Sequence, residues 1–209
     1  MPPFRAQICL IASCVDADSV RDDEAFVRNV WARLRARFPG CVIVFIPEAN
    51  LGKEASHLEM YVHDDPLTVT MAEVKAGWFG VHKSHLTTLE MHKKMAHVLS
   101  RRSLFIAHDL IGIPPAGAQR KQGMGEGTPT AGVYMAGQLR AQLRAYHWEA
   151  TGTRSSLGEE VCRLTGKSGK LNDDLCIACL MAVYWPEVFW RSAAPNYTAA
   201  KRLMSARQA

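Results

Sequence analysis

The amino-acid sequence predicts an α/β fold, a mixed sheet flanked by helices, on three observations. Gln7–Val15 (QICLIASCV) is a compact apolar run with the composition of a buried strand. Apolar residues at Phe26, Val27, Val30, Trp31, Leu34 and Phe38 then recur at helical spacing, with arginines between them. Cys41–Ile46 (CVIVFI) is a second strand, six apolar residues that are mostly β-branched or aromatic. Strand, helix and strand in this order form a βαβ unit, which implies parallel pairing.

The remaining elements follow from the same periodicities. Asp16, Asp18, Asp22 and Asp23 form a polar break suited to starting the first helix, and Pro39-Gly40 stops it. Ala49–Tyr61 reads as a loop running into a short helix, and Val69–Val74 as a weak strand. Thr87–Leu99 is helical and Ser103–His108 (SLFIAH) is a short strand. Ile113–Gly132 holds three prolines and five glycines, so it is expected to be a flexible loop. Met135–Arg144 is a helix, Tyr146–Ala150 a strand, and Arg154–Leu171 a polar, loop-like stretch. Leu175–Trp185 is a strongly apolar helix that Pro186 is expected to end. Residues 1–190 read as one domain and 191–209 as a basic C-terminal tail.

Composition narrows the function classes. With 48% hydrophobic and 22% charged residues the chain is an ordinary globular domain, which excludes disordered and fibrous classes. No apolar run reaches the ~20 residues that cross a bilayer, and the first residues lack a secretory layout, so an intracellular, soluble protein is expected. A net charge of +5 favours a polyanionic partner. Six cysteines lack the paired spacing of a zinc site, except Cys176 and Cys179, which lie within an apolar run. Buried reduced thiols, with neither zinc nor disulfides, are expected there.

Two places carry chemistry. Glu48, in Pro47-Glu48-Ala49-Asn50-Leu51-Gly52, follows the strongest strand, and functional groups of parallel sheets gather at strand carboxyl ends. A turn through Asn50 and Gly52 would aim its carboxylate into a cleft. Asn172-Asp173-Asp174 precedes the apolar helix, where one aspartate is explained by capping and the second is not. A helix buried in the core fixes its first turn, and a metal ligand needs such rigidity. Thr165-Gly166-Lys167-Ser168 imitates a phosphate-binding loop, but Val161 stands where that loop needs glycine. His82, His85, His92 and His97 give no pair at zinc-binding helical spacing, and no Gly-x-Ser-x-Gly elbow is present.

Glu48 in its setting, followed late by Asp173-Asp174 and an apolar helix, resembles the C-terminal nuclease domain of the large terminase subunit of tailed phages and herpesviruses. The matching stretches are Ile46–Gly52 and Asn172–Tyr184, and between them Gly80-Val81, the helix bearing Lys93-Lys94, strand Ser103–His108 and helix Met135–Arg144. The similarity covers roughly residues 7–186, and the long interval between Glu48 and Asp173 is closer to the herpesvirus-like branch. It implies a ribonuclease-H-like mixed sheet. It also implies a hydrolase in which carboxylates hold two Mg²⁺ or Mn²⁺ ions about 3.5–4 Å apart.

In that reading Glu48, Asp173 and Asp174 are the catalytic and metal-binding residues, and Lys167 and Lys170 contact DNA phosphates. The substrate is double-stranded DNA, cut during viral genome packaging in the infected cell, in the host nucleus for a herpesvirus-like protein. Partners are other terminase subunits or a separate ATPase segment. The family's first aspartate lies on a strand upstream of any counterpart here. The resemblance therefore implies a fragment lacking the first two strands, or substitution by Asp16 or Asp18. A catalytically incomplete DNA- or partner-binding remnant, and another ribonuclease-H-like resolvase or exonuclease, are the alternatives.

Overall fold

A computed structural model describes residues 6–13, 20–46, 48, 65, 67–70, 72–73, 78–79, 85–154, 158, 160–166 and 173–192. Strand β1 (Ala6–Ala12) and helix α1 (Val20–Arg37) open the chain. Strands β2 (Ile43–Phe45), β3 (Thr68–Thr70), β4 (Ala72–Glu73) and β5 (Trp78–Phe79) follow. Next come α2 (His85–Ser100), β6 (Leu104–Ile113), α3 (Ala116–Gln122) and α4 (Pro129–Ala145). Strands β7 (His147–Arg154) and β8 (Glu160–Thr165) precede α5 (Asp174–Ser192). The protein is thus mixed α/β with a small parallel sheet. Its contacts group into two compact units, Met1–Asp18 with His85–Leu180, and Ser19–Ser84 with Met181–Ala209.

In the first unit β1 runs parallel to β6, with Ile8 opposite Ile106 and Leu10 opposite Ile111. Four residues of β6, Ala107 to Leu110, therefore stand against Cys9 alone, a bulge that turns both His108 and Asp109 outward. Helix α4 lies on β6 at very short range. A Cβ built on Gly112 would fall 2.3 Å from the Ala131 carbonyl oxygen, and one on Gly132 would fall 2.4 Å from that of Leu110. Each glycine admits the other element's backbone. The buried face of α4 is Ala131, Met135, Ala136, Leu139 and Gln142, at helical spacing. Met91, Met95 and Val98 make the corresponding stripe on α2. Antiparallel β7 and β8 form a ribbon, with Ala150 opposite Cys162 and Arg154 opposite Glu160.

Three expectations are corrected here. Residues 113–132 are not a flexible loop, because they contain α3 and the start of α4. Their glycines and prolines mark boundaries: Thr128 caps α4, accepting from the Ala131 N–H at 3.3 Å, with Pro129 in the first turn. Gly123 ends α3 at φ 62°, and the Gly127 N–H donates to the Gly112 carbonyl at 2.8 Å. The stretch 154–171, read as a loop, contains β8. Helix α5 continues past Pro186, whose missing N–H would have bonded the carbonyl of Ala182, an exposed residue that water can reach. Parallel pairing occurs as the β-α-β order predicts, but the recorded neighbours are β6 for β1 and β3 for β2. Residues 49–61 and 193–209 lie outside the described residues.

In the second unit the C-terminal half of α1 is fastened to the β2–β3 pair through Asp65. Its Oδ2 accepts from Trp31 Nε1 at 3.0 Å and Arg35 Nε at 2.9 Å, and its Oδ1 from the Leu67 N–H at 3.0 Å. Arg35 also donates to the Cys41 carbonyl at 2.7 Å, and Trp31 meets Phe45 edge-on at 6.2 Å. Burial pushes the Asp65 carboxyl up, but the hydrogen bonds from Leu67, Arg35 and Trp31 outweigh it and leave its pKa at about 2.

The folded value lies below the ordinary 3.8. The resulting stabilisation is therefore complete above that value and disappears as pH falls through about 2. Asp65→Ala, which strips three donors of their acceptor, is expected to destabilise this unit by about 3 kcal/mol at neutral pH. The difference from wild type should shrink between pH 4 and 2, as read by urea unfolding at each pH.

Candidate metal-binding corner

Four elements of the first unit meet where α5 begins. Asp173 is the N-cap residue: its carbonyl accepts the first helical bond, from the Ile177 N–H at 2.8 Å. Its side chain is only 8% exposed. Oδ2 points away from the helix and accepts from the Gly166 N–H at 3.1 Å and the Thr165 hydroxyl at 3.5 Å, at the end of β8. A Cβ on Gly166 would lie 2.9 Å from the Asp173 Cβ and 3.3 Å from the Tyr146 ring. Gly166, which imitates a phosphate-loop glycine in the sequence, is therefore there for close approach to this brace.

An N-cap side chain ordinarily accepts the N–H three residues on. Here that N–H, from Cys176, donates instead to Gln142 Oε1 of α4 at 2.9 Å. Gln142 is buried, 6% exposed, and lies 34 residues away in sequence. Four residues later, at the C-cap of the same helix, the Tyr146 hydroxyl is buried and has no hydrogen-bond partner among the described residues. Burial, and then Cys176 and Asp173 beside it, push its pKa up. His92 of α2 lies against the Tyr146 ring at 5.9 Å, with Trp148 edge-on to His92 at 6.4 Å. Cys176 and Cys179 are buried free thiols, as their apolar setting predicts, and burial raises them to about 12 and about 11.

The two aspartates consequently stand in different surroundings. Asp174 occupies the first helical position and is exposed. Glu48 belongs to the second unit, half-buried at a bridge position three residues past the end of β2. Parallel β3 ends on the same side, so Glu48 does follow a strand carboxyl end. Lys167, Lys170, Asn172, Asp16 and Asp18 lie outside the described residues, and so do Pro47, Asn50 and Gly52.

Among the described residues no three His, Cys, Asp or Glu side chains converge as a metal-holding group. Elsewhere in the unit, an open groove of about 560 Å³ runs between β6 and α4, past His108, Asp109, Val133 and Arg140. None of the described helices is long and apolar enough to cross a membrane. No family model, curated protein or solved structure matches the chain.

Sequence reasoning placed the aspartate pair at the helix start but missed Gln142, Tyr146 and Gly166. A buried glutamine at the end of an otherwise apolar helical stripe, Met135-Leu139-Gln142, was the one available signal.

Proposed function

We propose that this chain is a ribonuclease-H-like, Mg²⁺- or Mn²⁺-dependent endonuclease domain that cuts double-stranded DNA, of the kind found in terminase large subunits. The observation that carries the reading is the division of labour in the Asp173–Asp174 pair. Bonds from Gly166 and Thr165 account for the first carboxylate, while the second is exposed on a turn held by β8 and α4. Asp174 would hold an ion, and Glu48 is the further carboxylate that the resemblance implies. Metal bound there would supply an activated water and stabilise the leaving oxygen at the scissile phosphate. Asp173 braces the site from inside. Lys167 and Lys170 would meet phosphate, and the net charge of +5 supports a polyanionic substrate. Packaging of viral DNA, with other terminase subunits or an ATPase segment as partners, is the setting that the resemblance suggests.

The test is plasmid nicking by the purified chain in Mn²⁺. Supercoiled DNA should be converted to open circles, and chelation of the metal should stop the reaction. Supercoiled DNA left intact across a Mn²⁺ series would sink the nuclease reading.

A further inference from the structure

Helix α4 and β6 touch backbone to backbone at Gly112 and Gly132, but beside the bulge they part and leave the open groove of about 560 Å³. Pockets that hold small organic molecules span roughly 300–1,000 Å³. The floor is apolar and buried: Ala107, Leu110 and Ala136 are each at most 7% exposed. Val133, also lining the groove, is 75% exposed, the most of the exposed large hydrophobic residues described. The helical bank from Pro129 to Arg140 runs about 16 Å, at 1.5 Å per residue. Arg140 lies at its end, two turns past Gly132, and has no hydrogen bond or ion pair among the described residues. A guanidinium is charged at any accessible pH and presents a fork that matches a carboxylate or phosphate.

We propose that this groove is a binding site for a small organic monocarboxylate with a linear apolar tail. The tail lies along Leu110, Val133 and Ala136, and the carboxylate takes two parallel hydrogen bonds from Arg140. Charge complementarity selects the head group. Arg140 is the one permanent cation among the lining residues, and the one acid, Asp109, stands beside His108 with Oδ1 3.7 Å from Nδ1. A single negative charge therefore balances Arg140, whereas a phosphate monoester, with nearly two, would also meet repulsion from Asp109. The length of the bank and its apolar floor select the tail: burial of Val133 and of the chain against it removes apolar surface from water on both sides. The site shares no residue with the corner at α5 and stands or falls apart from the nuclease reading.

The test titrates the full chain with decanoate below its micelle concentration, by calorimetry for affinity and by amide NMR for location. Decanol, acetate and decyl phosphate separate the contributions of head and tail. Arg140→Gln and Val133→Asp remove the partner of each, and both positions are exposed, so both variants should fold. Decanoate should saturate one site and shift the amides of Val133 and Ala136. Decanol on the wild type, and decanoate on either variant, should bind about tenfold more weakly. Acetate should show no saturation over the same range, and decyl phosphate should bind more weakly than decanoate. Failure of decanoate to saturate, shifts confined to residues outside the groove, or unchanged affinity in Arg140→Gln overturns the site. Tighter binding of decyl phosphate overturns the carboxylate assignment. A wild-type dimer that Val133→Asp converts to monomers, or an apolar peptide that displaces decanoate at lower concentration, gives the groove to a protein and overturns the small-molecule reading.

Discussion

Asp174→Ala should lower Mn²⁺-dependent nicking by about a hundred- to a thousandfold, the loss expected when several kcal/mol of metal-mediated stabilisation disappear. Stability should barely change, because an exposed acidic residue in the first turn contributes about 0.3–1 kcal/mol through the helix dipole. Asp173 should show the opposite pattern. Asp173→Ala leaves the buried Gly166 N–H without its acceptor and is expected to destabilise the fold by about 2 kcal/mol. Asp173→Asn keeps a carbonyl oxygen in the same place, so the folded variant should nick within about tenfold of wild type. Parallel nicking assays and thermal melts of the three variants separate these effects. A well-folded Asp173→Asn as inactive as Asp174→Ala would show that both carboxylates bind metal.

The second large effect belongs to the contact of α4 with β6. Gly112→Ala would place a methyl group 2.3 Å from the Ala131 carbonyl oxygen, and Gly132→Ala would place one 2.4 Å from that of Leu110. Both obstacles are backbone, so neither can rotate aside, and helix and strand must separate. Each substitution is expected to destabilise the first unit by about 3 kcal/mol. The double variant should fall short of the sum, since one separation relieves both clashes. By contrast, Gly137→Ala meets nothing within 4 Å and sits mid-helix, so it should stabilise by several tenths of a kcal/mol. Urea unfolding curves of the four variants beside wild type test the set. Wild-type stability in Gly112→Ala would refute the close approach.

Those glycines also show why part of the fold was illegible in the sequence. Helices α1, α2 and the second half of α4 announced themselves through apolar residues at helical spacing, and β1 and β2 through unbroken apolar runs. Between residues 113 and 132, glycine and proline were read as breakers. Three of them in fact serve a C-cap, a first helical turn and a backbone contact, at Gly123, Pro129 and Gly132. Strand β6 read as ending at His108 because His108-Asp109 interrupts its apolar character, and the bulge that absorbs this pair depends on β1, about a hundred residues earlier. The sequence Glu160–Thr165 lacks a clean alternation and becomes a strand only against β7. At the corner, the aspartate pair was visible, but its division of labour was not. That division depends on a glutamine 34 residues away and on the N–H of Gly166, and no local pattern encodes either.

The β2–β3 pairing also bears on Glu48. Register from Ile43 opposite Thr68 to Phe45 opposite Thr70 ties both ends of the intervening chain to one strand pair, and Asp65 fastens it again to Trp31 and Arg35. Glu48, three residues beyond Phe45, therefore rides on a closed loop instead of an open arm. The entropy of closing that loop is lost when the strands pair, before any ligand arrives. Glu48 is thus tethered three residues from a paired strand before its carboxylate engages anything.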